Sequence, residues 1–300
     1  MRVLIALGGN ALLRRGEAPD AAIQLEHVVD AAAGLADAAR QHEVVITHGN
    51  GPQVGLLALE SSDDRSLARP YPLDALVAET QGLIGYWLQQ AIASAGLERR
   101  IVSLVSQTVV SADDPAFAEP TKFVGATYTE DEARRLATDR DWTVKPDGPN
   151  WRRVVASPMP LRVVETPIVA DLLATGTTVI VAGGGGAAVV AAERGFRGVE
   201  AVVDKDHVAA MLAIDLEADL LVLLTDVPNV MAGFGTPEAH PLGEVTVDEL
   251  SAMDFAAGSM GPKVEACCHF ARTTGHEAVI GALDDLGAVL TGAAGTRIST

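Results

Sequence analysis

The sequence predicts an α/β protein built on a mainly parallel, open β-sheet. Short, wholly apolar runs have the length and composition of strands that are buried on both faces. Several of these runs end in glycine-rich turns that lead into segments favouring helices. With 300 residues, of which 48% are hydrophobic, the chain is long enough for one large α/β domain or two lobes.

The first strand and the turn after it are the starting point of the prediction. Residues 3–7 are apolar, and Gly8, Gly9 and Asn10 follow them directly, before a helix-favouring segment. Such a junction directs several backbone N–H groups to one place, with the positive end of a helix dipole behind them. It would bind a phosphate without a basic side chain, although a glycine pair alone fits an ordinary turn equally well.

The same pattern occurs a second time. Residues 19–41 predict a helix and residues 43–47 a strand, and the turn His48-Gly49-Asn50-Gly51-Pro52-Gln53 follows. Parallel strands end at one edge of a sheet, where open α/β sheets bind ligands, so we expect the two turns to be neighbours. His48 is either a structural histidine of the turn or a catalytic base.

The remaining elements follow from similar patterns. Residues 117–160 are poorer in apolar residues and richer in Pro, Asp and Arg, which predicts a small lobe or lid with an exposed helix at 130–140. Four consecutive glycines, Gly183 to Gly186, favour close approach of the backbone to a ligand over a linker. The other predicted elements are helices at 70–94 (Pro72 near its start), 207–216 and 264–274, and strands at 101–110, 152–156, 177–182, 220–224 and 277–280.

Lysine is rare in this chain. There are 18 arginines but only four lysines, namely Lys122, Lys145, Lys205 and Lys263. A chain that prefers arginine keeps lysine where a compact ammonium group is needed. Lys205 lies between two aspartates at a helix start, as either a surface cluster or a catalytic lysine oriented by a carboxylate. Lys263 lies in the first turn of a helix, which is unfavourable for a cation unless an anion is bound there, so we expect a phosphate contact.

Composition excludes several classes of function. The net charge of −18 argues against general binding to nucleic acid or to a membrane surface. No apolar run is long enough to span a membrane, and the start of the chain is not a convincing signal peptide. Cys267 and Cys268 are adjacent on a predicted helix, which disfavours a disulfide between them and fits a reduced, cytoplasmic compartment.

The sequence has no P-loop, no G-x-S-x-G elbow and no His/Cys spacing typical of a metal site, so no metal-ligating residue is assigned.

Taken together, these segments resemble the carbamate kinases of the amino-acid kinase fold, nearly from end to end. The specific segments are His48-Gly49-Asn50-Gly51-Pro52-Gln53 and Gly258-Ser259-Met260-Gly261-Pro262-Lys263. Further similar segments are at residues 6–12, 81–86, 120–122, 151–158, 182–186, 203–206 and 224–227. Three positions depart from the pattern: Met159, where lysine is frequent, Ala187-Ala188 in place of Ile-Pro, and Phe123 in place of proline. These departures concern the lid and the substrate contacts more than the chemistry.

The resemblance implies a fold, partners and a reaction. The fold would be an αβα sandwich with a carbamate or carbamoyl-phosphate lobe at residues 1–214, a protruding lid at about 117–160, and a nucleotide lobe at 215–300. The chain would use ATP or ADP with Mg²⁺, form a homodimer, and convert ATP and carbamate reversibly to ADP and carbamoyl phosphate, often in the direction of ATP synthesis during arginine breakdown.

We assign roles to residues on this basis. Gly8, Gly9 and Asn10 would donate N–H groups to the transferred phosphoryl group, and Gly49, Asn50 and Gly51 would hold the carbamate. Lys205 and Lys263 would stabilise charge on the phosphates, Asp206 would orient both lysines, and Lys122 would reach in from the lid. The residues assigned to the nucleotide are Gly184, Gly185, Thr225, Asp226, Val227, Met260, Gly261 and Lys263.

Two other functions remain open at this stage. One is a different small-acid or nucleotide kinase of the same fold, and the other is a non-catalytic protein that binds a nucleotide or metabolite. The presence of both glycine turns and of Lys122, Lys205 and Lys263 argues against the second. Carbamate is already an anion, so the reaction needs no general base and His48 need not be one.

Overall fold

The computed structural model describes residues 1–9, 12–13, 17–255 and 260–300. The predicted site residue Asn10, and Gly258-Ser259 of the second specific segment, lie outside the described residues. The α-helices are α1 (Ala21–Gln41), α2 (Gly51–Asp63), α3 (Leu73–Ser94), α4 (Glu130–Arg140), α5 (Thr166–Ala174), α6 (Lys205–Asp215), α7 (Val247–Ser251), α8 (Met260–Thr274) and α9 (Leu286–Thr291). The strands are β1 (Arg2–Leu7), β2 (Glu43–His48), β3 (Ile101–Ser103), β4 (Gln107–Val110), β5 (Lys122–Tyr128), β6 (Thr143–Asp147), β7 (Asn150–Val155), β8 (Pro160–Val163), β9 (Thr178–Ile180), β10 (Ala187–Ala191), β11 (Phe196–Gly198), β12 (Leu220–Thr225), β13 (Met231–Ala232), β14 (His240–Pro241), β15 (Glu244–Thr246), β16 (Glu277–Ala282) and β17 (Thr296–Ser299).

The main sheet has eight strands in the order β15-β17-β16-β12-β1-β2-β9-β3. All of its pairings are parallel except that of β16 with β17. The apolar runs at the start of the chain and at 220–224 pair directly, with Val3 opposite Leu220 and Leu7 opposite Leu224. The prediction of a mainly parallel sheet is therefore confirmed.

Helices cover both faces of this sheet. Val3 and Ile5 of β1 are buried among side chains of α1 and α3, whereas Leu4 and Ala6 are buried among those of α6 and α8. Successive residues of a strand point to opposite faces, so a strand covered on both sides is apolar throughout. This layering is the αβα sandwich that the resemblance implied.

Residues 122–155 form a separate layer that lies along α2. The antiparallel sheet β5-β7-β6 packs with α4, and β5 lies against α2. A Cβ on Gly55 of α2 would lie 2.6 Å from the Cα of Gly125, so the two backbones are in direct contact. Arg140 of α4 also donates to Asp63 of α2 at 2.5 Å. The layer is thus seated on the helix that begins at the second glycine turn.

One predicted strand is wrong. Residues 101–110 form two strands, β3 in the main sheet and β4 in the four-stranded sheet β11-β10-β4-β8. The break lies at Ser106, whose backbone N–H and hydroxyl both donate to Gln81 of α3 and not to a neighbouring strand. Also unpredicted were β8 and α5, which lie between the lid segment and the tetraglycine, and β10, which follows the tetraglycine.

Candidate active site

The two glycine turns lie side by side at the carboxyl edge of the sheet. Leu7 is opposite His48 in the parallel pairing of β1 and β2, and the Gly49 N–H donates to Leu7 O at 2.9 Å. A Cβ on Gly49 would lie 2.7 Å from the Gly9 nitrogen. Only glycine permits this approach, and the prediction that the two turns are neighbours is confirmed.

The hydrogen bonds at this edge correct the role assigned to Gly8. Its N–H donates to Leu224 O at 2.8 Å, as part of the sheet. This amide is therefore not available to a phosphoryl group, and a Cβ there would lie 2.9 Å from the same oxygen. The Gly49 N–H is likewise used within the sheet. Gly9 is different, because no hydrogen bond from its N–H is found among the described residues, while its carbonyl accepts from Leu12 and Leu13.

The start of α2 adds further N–H groups to this edge. Asn50 is the N-cap residue, but its side chain does not cap the helix. In the first turn, Pro52 has no N–H and the Val54 N–H donates to Asn50 O at 2.9 Å. The N–H groups of Gly51 and Gln53 have no intrahelical acceptor, and the helix dipole behind them favours an anion. Gly51 is exposed, whereas Asn50 is only 3% exposed. An anion placed at this helix start would lie beside Gly9.

The tetraglycine packs tightly against the protein. Added Cβ atoms would collide with His48 at Gly183, with the Asn50 side-chain amide at Gly184, with Val203 O at Gly185 and with Thr108 at Gly186. Gly184, Gly185 and Gly186 also have positive φ angles, of 64°, 89° and 78°. The chain's own contacts therefore explain these glycines without a ligand. Gly184 and Gly185 lie beside Asn50 and the approach to α6.

A buried polar network from α3 holds these loops from behind. Gln81 donates to Ser106 O at 3.1 Å, and the Ser106 hydroxyl in turn accepts from the Ala182 N–H at 2.9 Å. Thr80 accepts from Asn50 at 2.8 Å. These groups are nearly inaccessible to solvent, so their hydrogen bonds fix the turn at Asn50 and the start of the tetraglycine relative to one another.

Asp204 connects the start of α6 with the lid segment. As the N-cap of α6, its Oδ1 accepts from the backbone N–H groups of Asp206 and His207. Its Oδ2 accepts from Lys122 Nζ at 2.5 Å. Burial raises the pKa of Asp204, but the ammonium groups of Lys122 and Lys205 outweigh burial and hold the pKa well below its usual range. Lys122 is thus placed at the root of the lid and beside the first turn of α6.

Two of the predicted lysines share one buried carboxylate. Lys205 donates to Asp206 Oδ1, and Lys263 of α8 donates to Asp206 Oδ2 at 3.2 Å. The Asp206 side chain is 5% exposed, against 14% for Lys205 and 15% for Lys263. Burial raises the pKa of the Asp206 carboxyl. The nearby ammonium groups of Lys205 and Lys263 lower this pKa by more than burial raises it, so the carboxylate stays ionised. Asp206 thus forms an ion pair with each lysine, and its role in orienting them for catalysis stays a prediction.

His48 is neutral in this environment. Burial, more than any other effect, lowers its pKa to about 4. Its Nδ1 donates to Gly49 O at 3.0 Å, since a carbonyl can only accept. The imidazole fills the space beside Gly183. These contacts favour the structural interpretation of His48 that the sequence analysis left open.

The residues assigned to the nucleotide are divided between two places. Thr225 ends β12 next to Gly8, where a Cβ on Gly8 would lie 3.6 Å from Thr225 Cα, and its hydroxyl donates to Asp226 at 3.0 Å. Val227 follows and is 36% exposed. Met260 and Gly261 begin α8, in the same turn as Lys263. Gly184 and Gly185 lie on the other side of β1, beside the second glycine turn.

Two of the three departures from the family pattern lie in the lid segment, and the third lies in β10. Met159 is 55% exposed, and its N–H donates to Asp114 at 3.0 Å. Phe123 lies in β5 with the Arg152 guanidinium 5.9 Å from its ring. Ala187 and Ala188 begin β10, where Ala187 N–H donates to Ser106 O at 2.9 Å. A proline at position 188 would keep this bond, but one at 187 would lose it.

Sequence reasoning missed the supporting residues. Thr80, Ser106, Thr108 and Asp204 make the hydrogen bonds that position the loops and α6, yet none of them was assigned a role. Asp204 had a detectable signal, because an aspartate directly before a helix start is a typical N-cap. The other three have no comparable local signal, because the groups that they position are distant in sequence.

Two kinds of feature are absent from the part of the chain that the structure describes. Among residues 1–9, 12–13, 17–255 and 260–300, no group of three or more His, Cys, Asp or Glu side chains is arranged to hold a metal ion. In the same part of the chain, no helix combines the length and the apolar character needed to cross a membrane.

Comparison with known proteins gives consistent matches over the whole chain. Residues 1–282 match the model of the amino acid kinase family. The carbamate kinase of Rhizobium meliloti is 48% identical over 304 residues, covering 100% of this chain and 94% of that protein. The carbamate kinase of Haemophilus influenzae is 46% identical over 301 residues, covering 100% and 97%. A solved structure of carbamate kinase from Giardia lamblia bound to AMP-PNP superimposes with a TM-score of 0.91 at 38% identity, covering 99% of this chain and 98% of that one.

Proposed function

We propose that this chain, which belongs to the amino acid kinase family, is a carbamate kinase that transfers a phosphoryl group reversibly between ATP and carbamate. The observation that carries the proposal is the pair of lysines bonded to one buried carboxylate, Asp206, beside two glycine turns. Full-length relatives that are carbamate kinases, at 48% and 46% identity, supply the substrate.

In the proposed mechanism the protein positions the reactants and neutralises charge. Carbamate binds at the start of α2, where the N–H groups of Gly51 and Gln53 face an anion, and Asn50 contacts its amino end. The N–H groups of Gly9 and Asn10 donate to the transferred phosphoryl group. Its oxygens gain charge in the transition state, and Lys205 and Lys263 stabilise that charge, as fixed donors do in other phosphoryl-transfer sites.

Asp206 and Lys122 have supporting roles in this proposal. Asp206 holds both ammonium groups close together, so that little reorganisation is needed when the phosphates bind. Lys122 exchanges its bond to Asp204 for a bond to the substrate when the lid closes. That exchange is favoured by the position of Lys122 in β5, at the root of the lid segment.

The nucleotide lies on the side of β12 in this proposal. Residues 215–300 form the nucleotide lobe, with Thr225, Asp226, Val227, Met260 and Gly261 around the nucleotide, while residues 1–214 hold the carbamate. Gly184 and Gly185 pack against Asn50 and Val203, within residues 1–214, and would reach the nucleotide from that side. The dipole of α8 at Met260 and the charge of Lys263 both favour phosphate binding.

Mg²⁺ accompanies the nucleotide in the proposed reaction. This ion takes most of its ligands from phosphate oxygens and water, which fits a described site whose central carboxylate, Asp206, is already bonded to two lysines. When bound, Mg²⁺ neutralises charge on the β- and γ-phosphates. No side chain of the described part of the chain is assigned to it.

We also propose a homodimer that acts in the cytoplasm in arginine breakdown. The β3 edge of the main sheet is bordered by exposed apolar side chains, with Leu83 40%, Tyr86 57% and Val105 55% exposed, and such a patch is typical of a subunit contact. The free cysteines, Cys267 and Cys268, fit a reducing compartment.

The test is the formation of ATP from ADP and carbamoyl phosphate in the presence of Mg²⁺. We expect ATP to form, and carbamate to be preferred over acetylglutamate, aspartate and UMP as acceptors in the opposite direction. Nucleotide binding without ATP formation would identify a non-catalytic homologue. A preference for another acceptor would identify a different kinase of this fold.

A further inference from the structure

We propose that Thr80 is a positioning residue that turns the side-chain amide of Asn50, so that Asn50 Oδ1 accepts an N–H from the amino group of the substrate. The inference rests on the proposed function and extends it to the selection of a carbamoyl over an acetyl group. Thr80 contacts no substrate itself. It acts through Asn50.

The Thr80 hydroxyl has a single proton, and its hydrogen bonds are fixed by where that proton goes. Thr80 is fully buried on α3, and its Oγ1 donates to Val77 O at 2.8 Å. A carbonyl oxygen can only accept, so the hydroxyl proton is used in this bond. The lone pairs of Oγ1 remain, and Thr80 can therefore only accept a hydrogen bond from Asn50.

This requirement fixes the amide of Asn50. Its Nδ2 is the donor to Thr80 Oγ1, at 2.8 Å. The two polar atoms of an amide lie on opposite sides of Cγ, so Oδ1 points away from the Thr80 hydroxyl. Gly184 packs against the same amide so closely that a Cβ there would collide with it. The amide is therefore held both by a hydrogen bond and by packing.

The Oδ1 atom is left as an acceptor. Within the described part of the chain, no donor forms a hydrogen bond with it, although Asn50 is only 3% exposed. Oδ1 is not one of the fully buried side-chain atoms that lack a partner, so it faces space that solvent or a ligand can reach. A ligand that displaces the solvent there must supply a donor to it. Asn50 directly precedes Gly51 at the start of α2. If the anionic end of a ligand binds at this helix start, the rest of the ligand lies close to Asn50.

The chemistry of the substrate matches this arrangement. Carbamate and carbamoyl phosphate carry an anionic end, which the amides and lysines attract, and an –NH₂ group, which only an acceptor recognises. Acetate and acetyl phosphate have nearly the same shape, with a methyl group in place of –NH₂. A polar atom that is satisfied by one ligand and left unpaired by the other discriminates between the two.

The test compares carbamoyl phosphate with acetyl phosphate as phosphoryl donors to ADP. In Thr80→Val the side-chain shape is kept and the hydroxyl is lost, so the Asn50 amide is free to turn over. We expect the ratio of kcat/KM for carbamoyl phosphate to kcat/KM for acetyl phosphate to fall about tenfold, the range that one hydrogen bond supplies. Thr80→Ser keeps the hydroxyl and should keep the wild-type ratio.

Thr108→Val is the matched control. Its buried hydroxyl donates to Gly185 O at 2.6 Å and has no bond to Asn50, so its loss should leave the ratio unchanged whatever it does to the rates. Thr80→Ala serves for the same comparison if Thr80→Val does not fold. An unchanged ratio in the Thr80 variant would overturn this inference alone. A wild-type protein that makes no ATP from carbamoyl phosphate would overturn the proposed function, and this inference with it.

Discussion

Lys263 Nζ lies 3.2 Å from Asp206 Oδ2, so one ion pair connects the first turns of α8 and α6. Lys205 occupies the other oxygen of the same carboxylate. Like-charged ammonium groups repel each other, and the shared anion allows both to remain near one place. This arrangement underlies the predictions about the site.

We expect Asp206→Asn to lower kcat by at least about a hundredfold, because both lysines lose their anchor. Removing one partner of a buried ion pair also destabilises a protein, by about 3–5 kcal/mol. Urea unfolding and the steady-state rate of ATP formation measure the two effects. Asp215→Asn, at the last residue of the same helix, is the control and should retain wild-type activity. Equal activity of the Asp206 and Asp215 variants would refute the anchoring role.

Removing either Lys205 or Lys263 should lower kcat by a factor of about 10²–10³, as measured when other fixed donors to a transition state are removed. Lys205→Ala and Lys263→Ala are the variants, and Lys145→Ala, in β6 of the lid segment, is the matched control with near wild-type kcat. Because Lys205 and Lys263 act as a unit, the double variant should lose less than the product of the two single losses. A Lys205→Ala enzyme with unchanged kcat would exclude that residue from the mechanism.

Gly184 and Gly176 provide a comparison of packing with backbone strain. Both have positive φ, of 64° and 75°, but a Cβ on Gly184 would collide with Asn50, whereas one on Gly176 would meet no atom within 4 Å. Gly176→Ala should therefore cost about 1–2 kcal/mol of unfolding free energy and leave kcat/KM unchanged. Gly184→Ala should cost more and also lower kcat/KM for carbamoyl phosphate. If the two variants behave alike in denaturant titration and in the assay, Asn50 is not held by this contact.

His48 should make the protein less stable as the pH falls. Burial lowers its pKa to about 4, from 6.5, so between these values the unfolded chain binds a proton that the folded chain does not. The unfolding free energy is thus unaffected by His48 above pH 6.5 and decreases towards pH 4, by up to roughly 3 kcal/mol.

Urea unfolding at several pH values measures this effect of His48. His48→Asn keeps a donor for Gly49 O but does not titrate, so its stability should depend less on pH in this interval. His240→Asn, at an exposed position, should behave as the wild type does. A His48→Asn protein with the full wild-type pH dependence would show that another group is responsible.

The thiols should be unreactive in the folded protein. Cys267 is 0% and Cys268 5% exposed, and burial raises the pKa of both, so that little thiolate forms at neutral pH. We expect DTNB to label neither cysteine in the native protein and both after unfolding in guanidinium. Rapid labelling of the native protein would mean that α8 opens readily.

The sequence predicted the strands of the main sheet well, because an apolar run between polar turns is an unambiguous local signal. Residues 3–7 and 220–224 illustrate this. Each strand is covered by helices on both faces of the sheet, so its residues are all apolar and do not alternate with polar ones. The prediction was wrong for 101–110, where the chain leaves one sheet for another. That change depends on the bonds between Ser106 and Gln81, which are 25 residues apart and have no local pattern.

The same distinction applies to the site. Lys205 and Asp206 were found because they are adjacent at a helix start, and Lys263 because a cation in a first helical turn requires an explanation. The expectation for the Gly8 amide was wrong, because its use depends on which strand pairs with β1. The tetraglycine was expected to approach a ligand, whereas contacts with His48, Asn50, Val203 and Thr108 already require it. The use of the Gly8 amide and the contacts of the tetraglycine both depend on residues that are distant in sequence, and no local pattern in the sequence indicates them.

The most direct test of the account is a crystal structure of the protein with ADP, Mg²⁺ and aluminium fluoride, which mimics the transferred phosphoryl group. The account predicts that the fluoride complex lies within hydrogen-bond distance of Lys205 Nζ, Lys263 Nζ and the Gly9 N–H, with ADP on the side of Thr225. A fluoride complex bound away from both lysines would contradict it.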